Sequence, residues 1–65
     1  MRERTLVEFA EYAAKYVEHY GVWPRDYEDS TGKVWQRDEC LESLKEYPSL
    51  EELLRDRCKR VWGVR

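Results

Sequence analysis

The stretch Thr5-Leu6-Val7-Glu8-Phe9-Ala10-Glu11-Tyr12-Ala13-Ala14-Lys15-Tyr16-Val17-Glu18-His19-Tyr20-Gly21 decides the fold class. Leu6, Phe9, Ala13, Tyr16 and Tyr20 recur at alternating steps of three and four, the spacing that stacks side chains on one face of an α-helix. Ala10 and Val17 widen the stripe. Thr5 followed three residues later by Glu8 has the form of a capping box, in which a hydroxyl and a carboxylate satisfy otherwise unpaired amides. The pattern predicts a helix from about Leu6 to Tyr20. Gly21 then offers the left-handed backbone that ends it. Glu11 and Lys15 stand four apart on the outer face, an ion pair worth only about 0.3 to 0.5 kcal/mol.

Beyond Gly21 the helical period disappears as far as Gln36, and Pro24, Asp29, Ser30, Thr31 and Gly32 mark turn chemistry. Tyr27 to Trp35 suits a short hairpin, with Asp29-Ser30-Thr31-Gly32 as a tight turn and Gly32 at its positive-φ position. A lone two-stranded hairpin needs packing, and Trp23, Tyr27, Val34 and Trp35 are the residues to provide it. A second helix is expected from near Asp38 to Glu46 or Tyr47, with Cys40, Leu41, Leu44 and Tyr47 on one face. Pro48 disfavours helical geometry at Tyr47 and closes it. Ser49 before Leu50-Glu51-Glu52 reads as a second capping box, starting a third helix whose stripe is Leu50, Leu53, Leu54, Cys58 (or Arg57 by its stem) and Val61 and whose stop is Gly63. The expectation is a mainly α, three-helix single domain over residues 1–65, with an aromatic-rich loop or short β-hairpin between helices 1 and 2.

Composition agrees with a folded body. At 65 residues, 42% hydrophobic and 40% charged, the chain is too apolar for intrinsic disorder and too charged for a membrane protein. No run approaches the roughly 18 apolar residues of a spanning helix, and Met1-Arg2-Glu3-Arg4 leads into a charged amphipathic segment rather than a signal-peptide core. A soluble, cytoplasmic protein with no membrane partner is expected. Cys40 and Cys58 are too few to replace a core with disulfides, so reduced core thiols are expected, brought to similar heights by antiparallel packing and open to a disulfide on oxidation.

The net charge of −2 hides an asymmetry: residues 1–54 carry 7 basic and 13 acidic groups (−6), and residues 55–65 carry 5 basic and 1 acidic (+4). Arg57, Lys59, Arg60 and Arg65 are therefore candidate nucleic-acid contacts, together with Arg55. Helix polarity explains the same placement, since acids favour the first turn and bases the last, and Glu51 with Arg55 and Asp56 with Arg60 stand four apart. A helix-turn-helix reading meets Glu51 and Glu52 in the turn that would face the polyanion.

No catalytic residues, metal ligands or cofactors are expected. His19 has no Ser or Cys partner near it in sequence, and His19, Cys40 and Cys58 are scattered without a Cys-x-x-Cys pair. Asp26, Glu28 and Asp29 read as a solvated turn.

The least ordinary feature is the aromatic content, with three Trp, five Tyr and one Phe in so small a chain. Trp, Tyr and Arg dominate binding hot spots, which makes Trp23, Arg25, Tyr27 and Trp35 the candidate protein-binding patch; the alternative is that the loop folds back and its tryptophans complete the core. Helix 1 offers a second surface, for Tyr12, Tyr16, His19 and Tyr20 would let it pair with its own copy in a homodimer.

In brevity, composition and aromatic density the chain resembles the small accessory proteins of bacteriophages and mobile elements. The resemblance is one of overall character. Neither Gly21-Val22-Trp23-Pro24 nor Thr31-Gly32-Lys33-Val34-Trp35 carries a family pattern. What it implies is a non-catalytic inhibitor or modulator of a host protein or defence complex, with a nucleic-acid-associated transcriptional regulator using the basic C-terminal helix as the alternative.

Overall fold

Helix α1, Glu3–Tyr20, is the spine against which the rest of the chain packs, in a computed structural model that describes residues 1–62. Its buried stripe is Leu6, Phe9, Ala10, Ala13, Ala14 and Val17; Tyr16 and Tyr20, which the spacing placed on the same face, fall outside it, Tyr16 half-buried and Tyr20 exposed. The small alanines in mid-stripe allow close approach of the neighbouring elements, while Phe9 and Leu6 fill the space between them. Gly21 ends the helix at φ 75°, donating its N–H to the Val17 carbonyl, as its position after the stripe predicts.

The start of α1 corrects the sequence reading. Arg2, not Thr5, is the extended residue before the helix, and the Arg2 carbonyl accepts the Leu6 N–H at 3.0 Å. Thr5 therefore lies within the first turns and caps nothing. Met1 packs against the core, so apolar contact reaches further upstream than the cap pattern suggested. The outer-face pair that forms is Arg4 with Glu8 at 3.8 Å, and no ion pair joins Glu11 to Lys15 among the described residues.

Two three-residue strands follow, β1 at Asp26–Glu28 and β2 at Val34–Gln36, paired antiparallel with Tyr27 opposite Trp35. Gly32 takes φ 87° in the turn, and the Asp29 N–H donates to the Lys33 carbonyl. Helix α2, Arg37–Leu44, leaves β2 without a linker. Its cap is a reciprocal box of Gln36 and Glu39, in which the Gln36 N–H donates to Glu39 Oε1 at 3.1 Å. The period through Tyr47 overstated its length, because Lys45, Glu46 and Tyr47 donate three residues back, to Glu42, Ser43 and Leu44, and tighten the chain into turns.

Helix α3, Pro48–Arg57, starts one residue before the expected Ser49 cap. Proline suits the first helical position because its missing N–H has no helical partner there in any case, and the Tyr47 carbonyl accepts the Glu51 N–H at 2.9 Å. Pro48 thus separates two helices and begins the second. Leu54, Cys58 and Val61 face the core with Cys40 and Leu44 of α2, whereas Leu53, which the spacing placed in the stripe, is 59% exposed. Both cysteines are free thiols sealed in the core. The expected stop at Gly63 lies outside the described residues. Within them no helix is long and apolar enough to cross a membrane.

Candidate functional site

Tyrosines at i, i+4 and i+8 of α1 share a face that the core does not cover. Tyr12 and Tyr16 lie 5.9 Å apart between ring centroids, Tyr16 and Tyr20 4.5 Å, and His19 meets the Tyr20 ring edge-on at 4.7 Å. Tyr27 of β1 extends the row, 5.4 Å from Tyr12, while standing edge-on to buried Phe9 at 5.8 Å. The result is a ladder of rings running from the hairpin to the end of α1, anchored in the core through Phe9. Tyr12 is 41% exposed and Tyr20 62%. With Lys15 and His19 the three helical tyrosines line a shallow depression of about 330 Å³.

The electrostatics keep the Tyr12 and Tyr27 phenols neutral. Burial raises the Tyr12 pKa above its ordinary 10.0, with neighbouring Tyr16 and Asp26 acting in the same direction. Burial likewise raises Tyr27, helped by Glu8, whose carboxylate accepts the Tyr27 hydroxyl at 3.4 Å. Each ring offers an apolar face and a hydroxyl that both donates and accepts, and i, i+4 stacking limits the rotamer freedom left to lose on contact.

The residues expected to form the loop patch divide into two settings. Tyr27 and Trp35 are direct cross-strand partners. Trp35 donates its indole N–H to Asp29 Oδ2 at 2.8 Å and lies under Lys33 Nζ, 4.0 Å from its ring centre. Trp23 instead turns to the end of the described chain, donating to the Val61 carbonyl at 3.0 Å and packing 5.7 Å from Trp62. Arg25 is exposed, and its carbonyl accepts the Arg37 N–H at 3.0 Å. All three tryptophans are half-buried, so each indole both supports the fold and shows part of its surface.

Asp29 is the group sequence reasoning undervalued. One oxygen accepts the Thr31 N–H at 2.8 Å, the Thr31 hydroxyl at 2.6 Å and the Lys33 N–H at 3.0 Å, and the other accepts Trp35. The Thr31 and Trp35 hydrogen bonds hold its carboxyl down to about 2. The signal was present in Asp29-Ser30-Thr31-Gly32, whose first residue suits a side-chain-closed turn.

At the basic end Lys59 pairs with Asp56 at 3.3 Å, and Arg55 lies over Trp62 at 5.2 Å from its ring centre. Arg57 and Arg60 are exposed, and Arg65 lies outside the described residues. Among the described residues the expected Glu51–Arg55 and Asp56–Arg60 ion pairs are absent. Among the described residues no three His, Cys, Asp or Glu side chains are grouped to hold a metal ion. No family model, curated protein or solved structure matches the chain.

Proposed function

We propose that this chain is a non-catalytic protein-binding module that grips its partner through the tyrosine ladder of α1, with Tyr12, Tyr16 and Tyr20 as anchors and Tyr27 at the border. The observation that carries the reading is the exposure of Tyr12 and Tyr20 at the two ends of a continuous ring row on a core-packed helix. Rigid aromatic surface with polar tips is what binding hot spots are made of. The half-buried Trp35 and exposed Arg25 sit on the hairpin side as secondary contacts, whereas Trp23 serves the C-terminal packing first. An inhibitor or modulator of a host protein works this way, by laying a small body over a working surface.

The test is affinity capture from a bacterial lysate with the wild-type chain and with a Tyr12→Ser, Tyr20→Ser double variant as baits. A protein retained by the first and lost by the second, with unchanged helical circular dichroism, supports the reading. Identical captured sets refute it. Light scattering on both chains tells whether the same face instead pairs two copies through α1. Binding to duplex DNA that falls steeply with salt would transfer the function to Arg57, Lys59 and Arg60.

A further inference from the structure

A second uncovered surface lies where the first turns of α1 and α3 meet. Val7 is 38% exposed and Leu53 59%, and these two side chains, with Leu50 and Tyr47, line an apolar groove of about 440 Å³. Leu53 belongs to the apolar stripe of α3 by its spacing, yet it points away from the core into this groove. Packing within the domain therefore does not account for it.

The charge around the groove has one sign. Glu3 and Glu46 are the two charged side chains lining it. The N-termini of the two helices contribute about half a positive charge each, which the two carboxylates of Glu3 and Glu46 outweigh. Among the described residues no Lys or Arg lines the groove: Arg2 and Arg4 line a separate depression beside the hairpin turn, Lys45 pairs with Glu42 at 3.1 Å, and Arg55 lies over Trp62. An apolar floor with an acidic rim complements one chemistry, apolar side chains flanked by bases.

We propose that this groove docks an amphipathic helix of a partner protein, whose apolar side chains at i, i+3 and i+4 seat between Val7 and Leu53 and whose flanking lysines or arginines meet Glu3 and Glu46. The site is separate from the tyrosine ladder and stands without it.

The probe is a fluorescein-labelled synthetic peptide of leucine and lysine with leucines at helical spacing, and its counterpart with glutamate in place of lysine, titrated by anisotropy. The lysine peptide should bind saturably and the glutamate peptide should not. Leu53→Ser and Val7→Ser should each weaken binding by about tenfold. Both side chains are partly exposed, and thermal melts matching wild type confirm that the fold is kept. Glu3→Gln with Glu46→Gln should weaken binding by roughly threefold to tenfold and flatten its salt dependence. The Tyr12→Ser, Tyr20→Ser chain should bind the peptide as wild type does, so failure here and failure of the tyrosine face are read separately. Equal affinity for Leu53→Ser, or equal affinity for the two peptides, overturns the proposal. Leu53-dependent dimerisation without peptide binding overturns it as well and assigns the groove to a second copy.

Discussion

Asp29 closes the hairpin turn with one carboxylate serving four donors, and its pKa reports that geometry. A carboxyl held down to about 2 from an ordinary 3.8 is deprotonated more readily in the folded state than in the unfolded one. Its contribution to stability is therefore complete above the ordinary value and is lost as pH falls through that value toward about 2. The indole N–H resonance of Trp35, followed by NMR against pH, should titrate near the lower value; a midpoint at 3.8 would show that the carboxylate is not so held. Asp29→Asn removes the acceptor for Trp35 or for Thr31, whichever way the amide turns, and should loosen the hairpin at neutral pH. The two core cysteines make the opposite case. Burial pushes the Cys40 thiol up to about 11 and raises Cys58, so neither is a nucleophile at neutral pH. A thiol reagent should label them only as fast as the native protein opens, and rapid labelling without denaturant would contradict their burial. At this scale the sequence spoke clearly about residue types and poorly about duties. Asp29 and Glu28 are neighbouring acids at the mouth of the hairpin, Glu28 closing β1 and Asp29 opening the turn, and only the closed turn distinguishes the one that accepts four hydrogen bonds.

The elements follow apolar spacing more faithfully than they follow caps. The spacing of Leu6, Phe9, Ala13, Tyr16 and Tyr20 gave α1 its buried face only as far as Ala13, since Ala14 and Val17 take the buried side beyond it and Tyr20 is 62% exposed; Gly21 gave the helix its end, because a left-handed residue is a strong local constraint. Gly21→Ala should cost about 1 to 2 kcal/mol, the strain of an L-residue in that conformation. A denaturant melt measures it, and no loss would mean that the helix end relaxes freely. Steric blocking is not the cause, since the nearest atom to an added Cβ is Arg60 Nη2 at 3.8 Å. Two expected capping boxes failed for physical reasons the pattern does not contain. Thr5 lies inside a helix that Met1 prolongs by packing on the core, and Ser49 follows a proline already suited to the first helical position. The box that does form uses Gln36, a residue outside the usual Ser, Thr, Asp and Asn set. Glu39→Ala should remove half of it, at about 1 kcal/mol. Leu53 shows the limit of periodicity: its spacing marks a helix face, but the width of that face covered by α1 and α2 is decided by packing.

For the molecule as a whole, the thin core concentrates stability in few side chains. Phe9 is fully buried and also carries Tyr27 on its edge, so Phe9→Ala should cost about 3 to 5 kcal/mol. That is a large share of the roughly 5 to 15 kcal/mol available to a domain, and loss of cooperative thermal unfolding would be the readout. The same thinness explains the aromatics. The sequence brings three Trp, five Tyr and one Phe to a small core, and Tyr12 and Tyr20 remain exposed. It pointed to Trp23, Tyr27 and Trp35 as the candidate patch; in the structure the two loop tryptophans are half-buried and find carbonyl and carboxylate acceptors at Val61 and Asp29, contacts distant in sequence or made by turn closure, and Tyr12 and Tyr20 of α1 face outward. The central claim is that those tyrosines are the gripping surface. Its most direct test is calorimetric titration of the captured partner into the wild-type chain and into the Tyr12→Ser, Tyr20→Ser chain, with equal folding confirmed for both. The account predicts a loss of at least about tenfold in affinity for each ring removed. Equal affinities would contradict it.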